Sequence, residues 1–301
     1  MYSKKNQVRF DINNGNCNTE GVTVTFAIPS FNHSDYIGEL LSSILDDIAS
    51  SSFTYEILII DDGSTDNTHE IIKKFSLNHP NVFLNAIFCD NVGISKNLNR
   101  IVKESNGEFI RLCASDDVVI AGSTNSLIRA FDLCNYCVVG DGDVINSAGN
   151  IVSNSLVEFH SGNKSNLLSS ETIYHEIISN YSFAGPCLLI RKRFFDFYSY
   201  DTESKIDDYD FFVSLVTLTE LNTVKFIDEN VCKYRVHNTN TSKSKNLNTR
   251  LENQVSMFYL LNKFIKKNHK GSKSVFIKKM IIVALKIVYL KMMLVVDNKY
   301  D

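Results

Sequence analysis

Glu56-Ile57-Leu58-Ile59-Ile60-Asp61-Asp62-Gly63-Ser64-Thr65-Asp66-Asn67-Thr68 is an apolar strand that runs straight into two carboxylates and a glycine turn. Ligands of an open parallel sheet sit outside the carboxyl ends of its strands, so a buried strand ending in acid marks a binding crevice. A plainer reading makes Asp61 a strand terminator and Thr65 or Asp66 the cap of a helix that begins near Asn67. The pattern recurs, however, in Gly107-Glu108-Phe109-Ile110-Arg111-Leu112-Cys113-Ala114-Ser115-Asp116-Asp117. Adjacent carboxylates repel unless a cation or a donor lies beside them, and a hard divalent ion bridging to ligand phosphates is the economical cause of both ends.

Working outward, strands are expected over 22–28 (broken by Pro29), 55–60, 82–88 and 108–113. They alternate with helices over 36–50, 68–78 and 94–105. The first helix carries Ile37, Leu40, Leu41, Ile44 and Ile48 at helical spacing behind a Ser34 or Asp35 cap. Such alternation predicts an α/β protein with a mainly parallel, right-handed sheet flanked by helices. After Asp117 the rhythm loosens. Strands are expected over 136–144, 151–157 and 183–191, with a polar loop over 160–170 and antiparallel additions to the sheet. A helix over 206–218 opens with Asp207, Asp208 and Asp210, acids that suit the positive end of its dipole whether or not they do chemistry.

A chain of 301 residues with 44% hydrophobic content has enough apolar surface for a full core. Its seven cysteines are scattered, several inside apolar runs, and no signal-peptide pattern opens the sequence, so reduced thiols in a cytoplasmic protein are expected. Residues 251–301 carry ten Lys against three acids, whereas residues 1–250 carry 21 basic and 31 acidic residues, a net of −10. An acidic body argues against nucleic acid as the partner. The organisation read from this is a polar, loose leader over 1–20, a main domain over 21–245 and basic C-terminal helices over 246–301.

Taken together, the segments over roughly 22–242 resemble the family 2 inverting glycosyltransferases with the GT-A (Rossmann-like) fold, and the motifs stand in that family's order. Val24 to Asn32, with Pro29 and Phe31, is similar to the opening strand and loop that hold the nucleotide base, Phe31 standing where Tyr is usual. Asp62 matches the acid that takes a hydrogen bond from the base. Asn91-Val92-Gly93 and the following helix resemble a donor-binding segment whose usual Arg is Leu98 here, leaving Lys96 as the donor contact. Asp116-Asp117 stands at the metal-binding acidic motif, with Ala114 where a first acid is often found, and either carboxylate is open as the closer ligand. Asp207-Asp208 resembles the Glu-Asp motif whose second acid is the catalytic base, which gives that role to Asp208. Tyr234-Arg235-Val236-His237, followed by Ser242, resembles a segment that closes over the donor diphosphate, with Arg235 and His237 as donor contacts and His237 as a further metal ligand.

The resemblance implies a hexosyl- or N-acetylhexosaminyltransferase that uses Mn2+ or Mg2+, with 21–245 as its glycosyltransferase domain, 21–120 the nucleotide-sugar half and 121–245 the acceptor and catalytic half. Its donor would be a nucleotide-diphosphate sugar, UDP-linked, and its acceptor a glycan on undecaprenyl diphosphate, in O-antigen (lipopolysaccharide) or surface polysaccharide synthesis. Two other readings compete. A nucleotidyl- or phosphosugar-handling enzyme needs a Gly-rich phosphate loop near the first strand, and none is present. A non-catalytic nucleotide-sugar or polysaccharide binding module would keep the base pocket but could lose the acids. Over 275–296 the chain is apolar, with a longest uncharged run of six residues between lysines, too short to span a membrane. Lys278, Lys279 and Lys286 would edge an apolar helix face, the pattern of a helix lying on the inner, anionic surface of the cytoplasmic membrane. A helix packed on the domain, or on a second copy in a homodimer, fits the same pattern.

Overall fold

The computed structural model describes residues 8–10, 21, 23–49, 51–204, 206–218, 223–237, 246–267 and 273–300. Its elements run β1 (Val8–Phe10), β2 (Val24–Ser30), α1 (Ile37–Ile48), β3 (Tyr55–Asp61), α2 (Thr68–Asn78), β4 (Leu84–Phe88), α3 (Ile94–Glu104), β5 (Phe109–Leu112), β6 (Val118–Val119) and α4 (Ser123–Ala130). They continue with β7 (Cys137–Asn146), β8 (Ile151–Ser153), α5 (Leu156–Phe159), α6 (Lys164–Leu168), α7 (Ile173–Asn180), β9 (Leu188–Arg191), α8 (Asp207–Thr217), β10 (Val224–Val236), α9 (Leu247–Lys266) and α10 (Lys273–Tyr300).

Every residue of β3 from Glu56 to Asp61 is buried, so the strand is covered on both faces and takes a central place. The sheet order is β1-β4-β3-β2-β5-β9-β7-β10-β6, with β8 on the side of β7. The block β4-β3-β2-β5 is parallel, as expected. Beyond it β9 runs antiparallel to both β5 and β7, while β7 and β10 are again parallel. From β2 the chain builds outward through β3 to β4 and then returns to place β5 on the other side of β2. That reversal opens a crevice between the loops that follow β2 and β5.

Pro29 does not end β2, because β5 stops opposite Ala27 and leaves that side of the strand unpaired, where a missing N–H costs no ladder bond. The expected loose leader contributes an edge strand instead of none: Val8, Arg9 and Phe10 pair antiparallel with Phe88, Ile87 and Ala86. The expected strand over 151–157 stops at Ser153, since the Ser155 side chain accepts from the Glu158 amide and starts α5. Asn163 likewise caps α6 inside the expected loop over 160–170. Entry into β9 is a tight 3-10 turn, Gly185–Cys187, rather than strand.

Two apolar clusters form. The main one lies against the sheet. The second joins Ile178 of α7 and Tyr209 and Val213 of α8 to Leu260, Leu261, Phe264, Phe276 and Val283 of the C-terminal hairpin. The rings of Phe264 and Phe276 stack at 5.6 Å. One face of α10 is therefore packed on the domain, while Ile277, Ile281, Ile282, Leu285, Val288, Tyr289 and Met292 remain exposed.

Gly107 sits where β5 meets β2, and a Cβ there would lie 2.5 Å from the Thr25 amide nitrogen and 2.7 Å from the Phe109 carbonyl oxygen. Both obstacles are backbone. Gly107→Ala is expected to lower unfolding free energy by about 1–3 kcal/mol, the usual cost of overpacking, seen as an earlier midpoint in urea denaturation.

Candidate active site

The crevice is a cleft of about 720 Å3 whose walls come from strand ends and helix starts. Pro29, Ser30, Phe31 and His33 follow β2, Asp62 follows β3, and Asn91, Gly93, Asn97 and Leu98 lead into and along α3. Leu112 to Asp117 follow β5, Asp207 and Asp208 open α8, and Tyr234 and His237 end β10.

The Asp61-Asp62 turn divides its labour. Asp61 is fully buried and accepts from the Ser64 amide, the Ser64 hydroxyl and His69 Nε2, at 2.8, 2.7 and 2.7 Å, so it holds the turn. Asp62 accepts the amides of Val92 and Gly93 at 2.7 and 2.9 Å, which fastens the loop before α3 to the end of β3. Gly63 between turn and loop has φ +79°, and a Cβ would sit 3.0 Å from the Asn91 amide nitrogen, so glycine alone lets the two chains approach. Asp66 caps α2 through Thr68 and also accepts the Ser34 amide. Burial opposes its ionisation, but these bonds hold it at about 2.

The acidic pair after β5 is held from below. Asp117 Oδ1 accepts the Arg235 amide at 2.7 Å, and the Arg235 guanidinium donates to the Asp116 carbonyl at 2.7 Å and to Glu39 at 2.6 Å. The Asp117 Oδ2 is buried and has no hydrogen-bond partner among the described residues. Burial, and then the Asp116 charge, push the Asp117 carboxyl well above the usual range. Asp116 Oδ2 lies 2.8 Å from His237 Nε2, and its Oδ1 lies 4.0 Å from Nδ1 of His33. Ligand atoms of His33, Asp116 and His237 all fall within 4.8 Å of one another. An orphaned carboxylate oxygen beside a His-Asp-His cluster fits a divalent cation in chemistry and in spacing.

Across the cleft, α8 presents Asp208. Burial and then the Asp207 charge raise its carboxyl to about 7, against a hydrogen bond from Tyr181 that lowers it. Asp210 does not take part: it is turned into the fold toward the Tyr198 hydroxyl, 3.3 Å away. Tyr181 itself closes α7 in the left-handed region, φ +47°.

Of the residues expected at the site, Pro29, Phe31, Asp62, Asp116, Asp117, Asp208 and His237 share this cleft. Lys96 and Arg235 do not line it. Ile94, Asn97 and Leu98 turn toward the cleft, and Lys96 falls on the opposite side of α3, exposed to solvent. Successive residues of a strand face opposite ways, so with Tyr234 on the cleft Arg235 points behind it, only 1% exposed, against the Tyr36 ring and backbone carbonyls. Ser242 lies outside the described residues. His33 escaped the sequence reading, and the one available signal was its place directly after the loop that ends β2. Tyr181 had no signal, because only the fold brings the end of α7 to the start of α8.

The glycosyl transferase family 2 model matches residues 25–198, more than half of the chain. Chondroitin synthase of Escherichia coli is 29% identical over 239 residues, which are 78% of this chain and 32% of that protein. Poly-beta-1,6-N-acetyl-D-glucosamine synthase of Staphylococcus aureus is 32% identical over 108 residues, 36% of this chain and 25% of that one. The chain thus spans about a quarter to a third of the length of these curated relatives. Among solved structures, S. aureus TarS 1-349 in complex with UDP-GlcNAc superposes with TM-score 0.62 at 18% identity, over 86% of this chain and 70% of that one. The mannosyltransferase PcManGT of Pyrobaculum calidifontis, in complex with GDP-Man and Mn2+, gives 0.63 at 14% identity, over 92% and 75%. The switch-point cleft, the acidic strand ends and the matched family model agree, and the chain belongs to glycosyl transferase family 2, with the GT-A fold.

Proposed function

We propose that this chain is an inverting, metal-dependent glycosyltransferase that moves a hexose or N-acetylhexosamine from a UDP-linked donor to a hydroxyl of a glycan acceptor carried on undecaprenyl diphosphate, in O-antigen or surface polysaccharide assembly. The observation that carries this reading is the pairing, across one cleft, of a carboxyl held near neutrality on α8 with the acid and histidine cluster after β5 and β10. The nucleotide-sugar ligands named for TarS and PcManGT, and the polysaccharide synthases among the relatives, support the donor class and the kind of product.

In this reading Phe31 at the cleft mouth packs on the base and Asp62 accepts from it. Asp116 and His237 hold a divalent cation, Mn2+ or Mg2+, with the Asp117 carboxyl behind them adding to the charge that favours it; when bound, the ion would supply Lewis-acid neutralisation of the charge on the departing diphosphate. Asp208 removes the acceptor proton while the acceptor oxygen bonds to the anomeric carbon from the face opposite the breaking bond to the β-phosphate oxygen, so the centre inverts and nucleoside diphosphate leaves. A base that titrates near 7 is matched to that step at neutral pH. Arg235 acts through others, fixing the acidic pair, and Lys96 has no part.

Incubation with UDP-sugars, Mn2+ and a lipid-linked acceptor is expected to release UDP, and Asp208→Asn to lower turnover by about 100-fold or more while donor binding is kept. Because Asp208 is protonated below about 7, kcat should fall on the acid side of that value and level off above it. Donor binding with no release of UDP in the wild type would favour a binding module instead.

The apolar face of α10 supports membrane attachment. None of the described helices is long and apolar enough to cross a membrane. Lys278, Lys286 and Lys291 are exposed beside the apolar residues, and no acid lies between Lys273 and Val295. The expected basic edge is one lysine shorter, because Lys279 turns inward to the Ser179 carbonyl and burial, then Lys286, lower its ammonium to about 8. Ile281→Asp with Leu285→Asp should abolish co-sedimentation with vesicles that contain phosphatidylglycerol while the thermal midpoint is unchanged. Unaltered sedimentation, or loss of a dimer in light scattering, would assign this face elsewhere.

A further inference from the structure

We infer that His33 is a metal ligand, completing with Asp116 and His237 a two-imidazole, one-carboxylate site that binds Mn2+ in the absence of nucleotide and prefers it to Mg2+. The inference rests on the reading of this cleft as a metal site and goes beyond it in ligand set and selectivity.

The geometry comes first. His237 and Asp116 are 2.8 Å apart, His33 and Asp116 4.0 Å, and the three ligand atoms lie within 4.8 Å of one another. Atoms that share an ion at about 2.1 Å are separated by roughly 3 to 4 Å, so shifts of under about 1 Å close the set. The two imidazole planes stand at 86° with centroids 5.8 Å apart, edge to face rather than stacked.

The backbone that carries His33 is fixed at both ends. Its amide donates to the Thr68 hydroxyl at 3.1 Å, and its carbonyl accepts the Tyr36 and Ile37 amides where α1 begins. Asn32 before it takes the left-handed conformation, φ +53°, while its amide donates to Ser64 Oγ and its side chain accepts the Thr65 amide. Position 33 is therefore aimed at the end of β5 by bonds that do not involve its ring. The polar partners of its ring are exchangeable, the Ser115 hydroxyl at 2.7 Å and the Asp116 carboxylate, and its edge contacts are with the Tyr36 and His237 rings. His237 is steadied by the Tyr36 ring stacked at 5.3 Å. The unpartnered, buried Oδ2 of Asp117, next in the chain to Asp116, is the independent sign that charge compensation is missing here.

The ligand chemistry sets the selectivity. Mg2+ seeks six oxygen ligands and gives up water reluctantly, whereas imidazole nitrogen raises affinity for first-row transition ions. A site of carboxylates alone would need donor phosphates to complete it, and two added imidazoles remove that need for Mn2+ more than for Mg2+.

The test uses the full chain without nucleotide, titrating Mn2+ by the electron paramagnetic resonance signal of the free ion and counting bound nitrogens by pulsed measurement of 14N couplings. Wild type should bind one Mn2+ with two imidazole nitrogens, displaced by Mg2+ only at large excess. His33→Ala should lose one nitrogen coupling and weaken Mn2+ by about tenfold or more, with little change for Mg2+. His33→Asp, which restores a ligand but supplies oxygen, should recover metal binding with the preference moved toward Mg2+, and so separates ligation from folding. Mn2+ affinity and two nitrogen couplings unchanged in His33→Ala would overturn the assignment of His33. Absence of Mn2+ binding by the wild type both with and without UDP would instead overturn the metal reading of the cleft itself.

Discussion

The cleft depends on the buried side chain of Arg235, which does not line it but holds residues that do. Its Nε holds the Asp116 carbonyl, its Nη atoms reach Glu39 of α1 and the Asn146 and Ser147 carbonyls at the end of β7, and its own amide holds the Asp117 carboxylate. Its carbon lies 4.7 Å from the centre of the Tyr36 ring, which also stacks on His237 and meets the His33 ring edge-on. Glu39 is half open to solvent, so little of the hold comes from that ion pair. It comes from fixed carbonyls and one amide around a buried cation, a set whose loss leaves polar groups stranded in the interior. The parallel ladder between β7 and β10 brings Arg235 opposite Ile145, at the height where β7 ends, and so the sheet delivers this tie.

Four carboxylates at strand or helix ends behave differently because of what surrounds them, not because of what they are. Asp61 and Asp62 are supplied with N–H and O–H donors, which fix their carboxylates in place and tie the turn to its neighbours. Asp117 and Asp208 are enclosed without enough donors, and each has a carboxylate neighbour, so each is pushed upward. The first condition holds a carboxylate still, and the second is the one that the proposed cation and proton-acceptor roles call for.

The C-terminal hairpin belongs to this arrangement. Tyr209, the residue after Asp208, is fully buried between α7 and α9, and its hydroxyl donates to the Ile178 carbonyl at 2.9 Å. Lys263 of α9 adds a contact to Asp201 just before α8. The helix that carries Asp208 is thus clamped by residues more than 50 positions downstream, and the same α10 that completes the clamp offers its opposite, apolar face to the outside.

Local sequence patterns were enough for the parallel half of the sheet and for most of the expected residues that come to line the cleft. Apolar runs such as 56–60 and helical spacing such as 37–48 are local patterns, and an acid pair at a strand end is visible without knowing what it faces. Motif order was enough to group Asp62, Asp116, Asp208 and His237. Direction came from the packing. Whether Lys96 and Arg235 reach the cleft depends on which face of α3 and of β10 meets it, and that is fixed by packing. His33 and Tyr181 lie 83 residues before Asp116 and 27 before Asp208, and neither carries a local signal of the contact. Capping by Ser155 and Asn163 overrode strand and loop readings in the same way, since a single hydrogen bond starts a short helix that composition does not reveal. Residue type and spacing specify which groups exist; the sheet's switch point and the long-range ties behind it specify which of them meet.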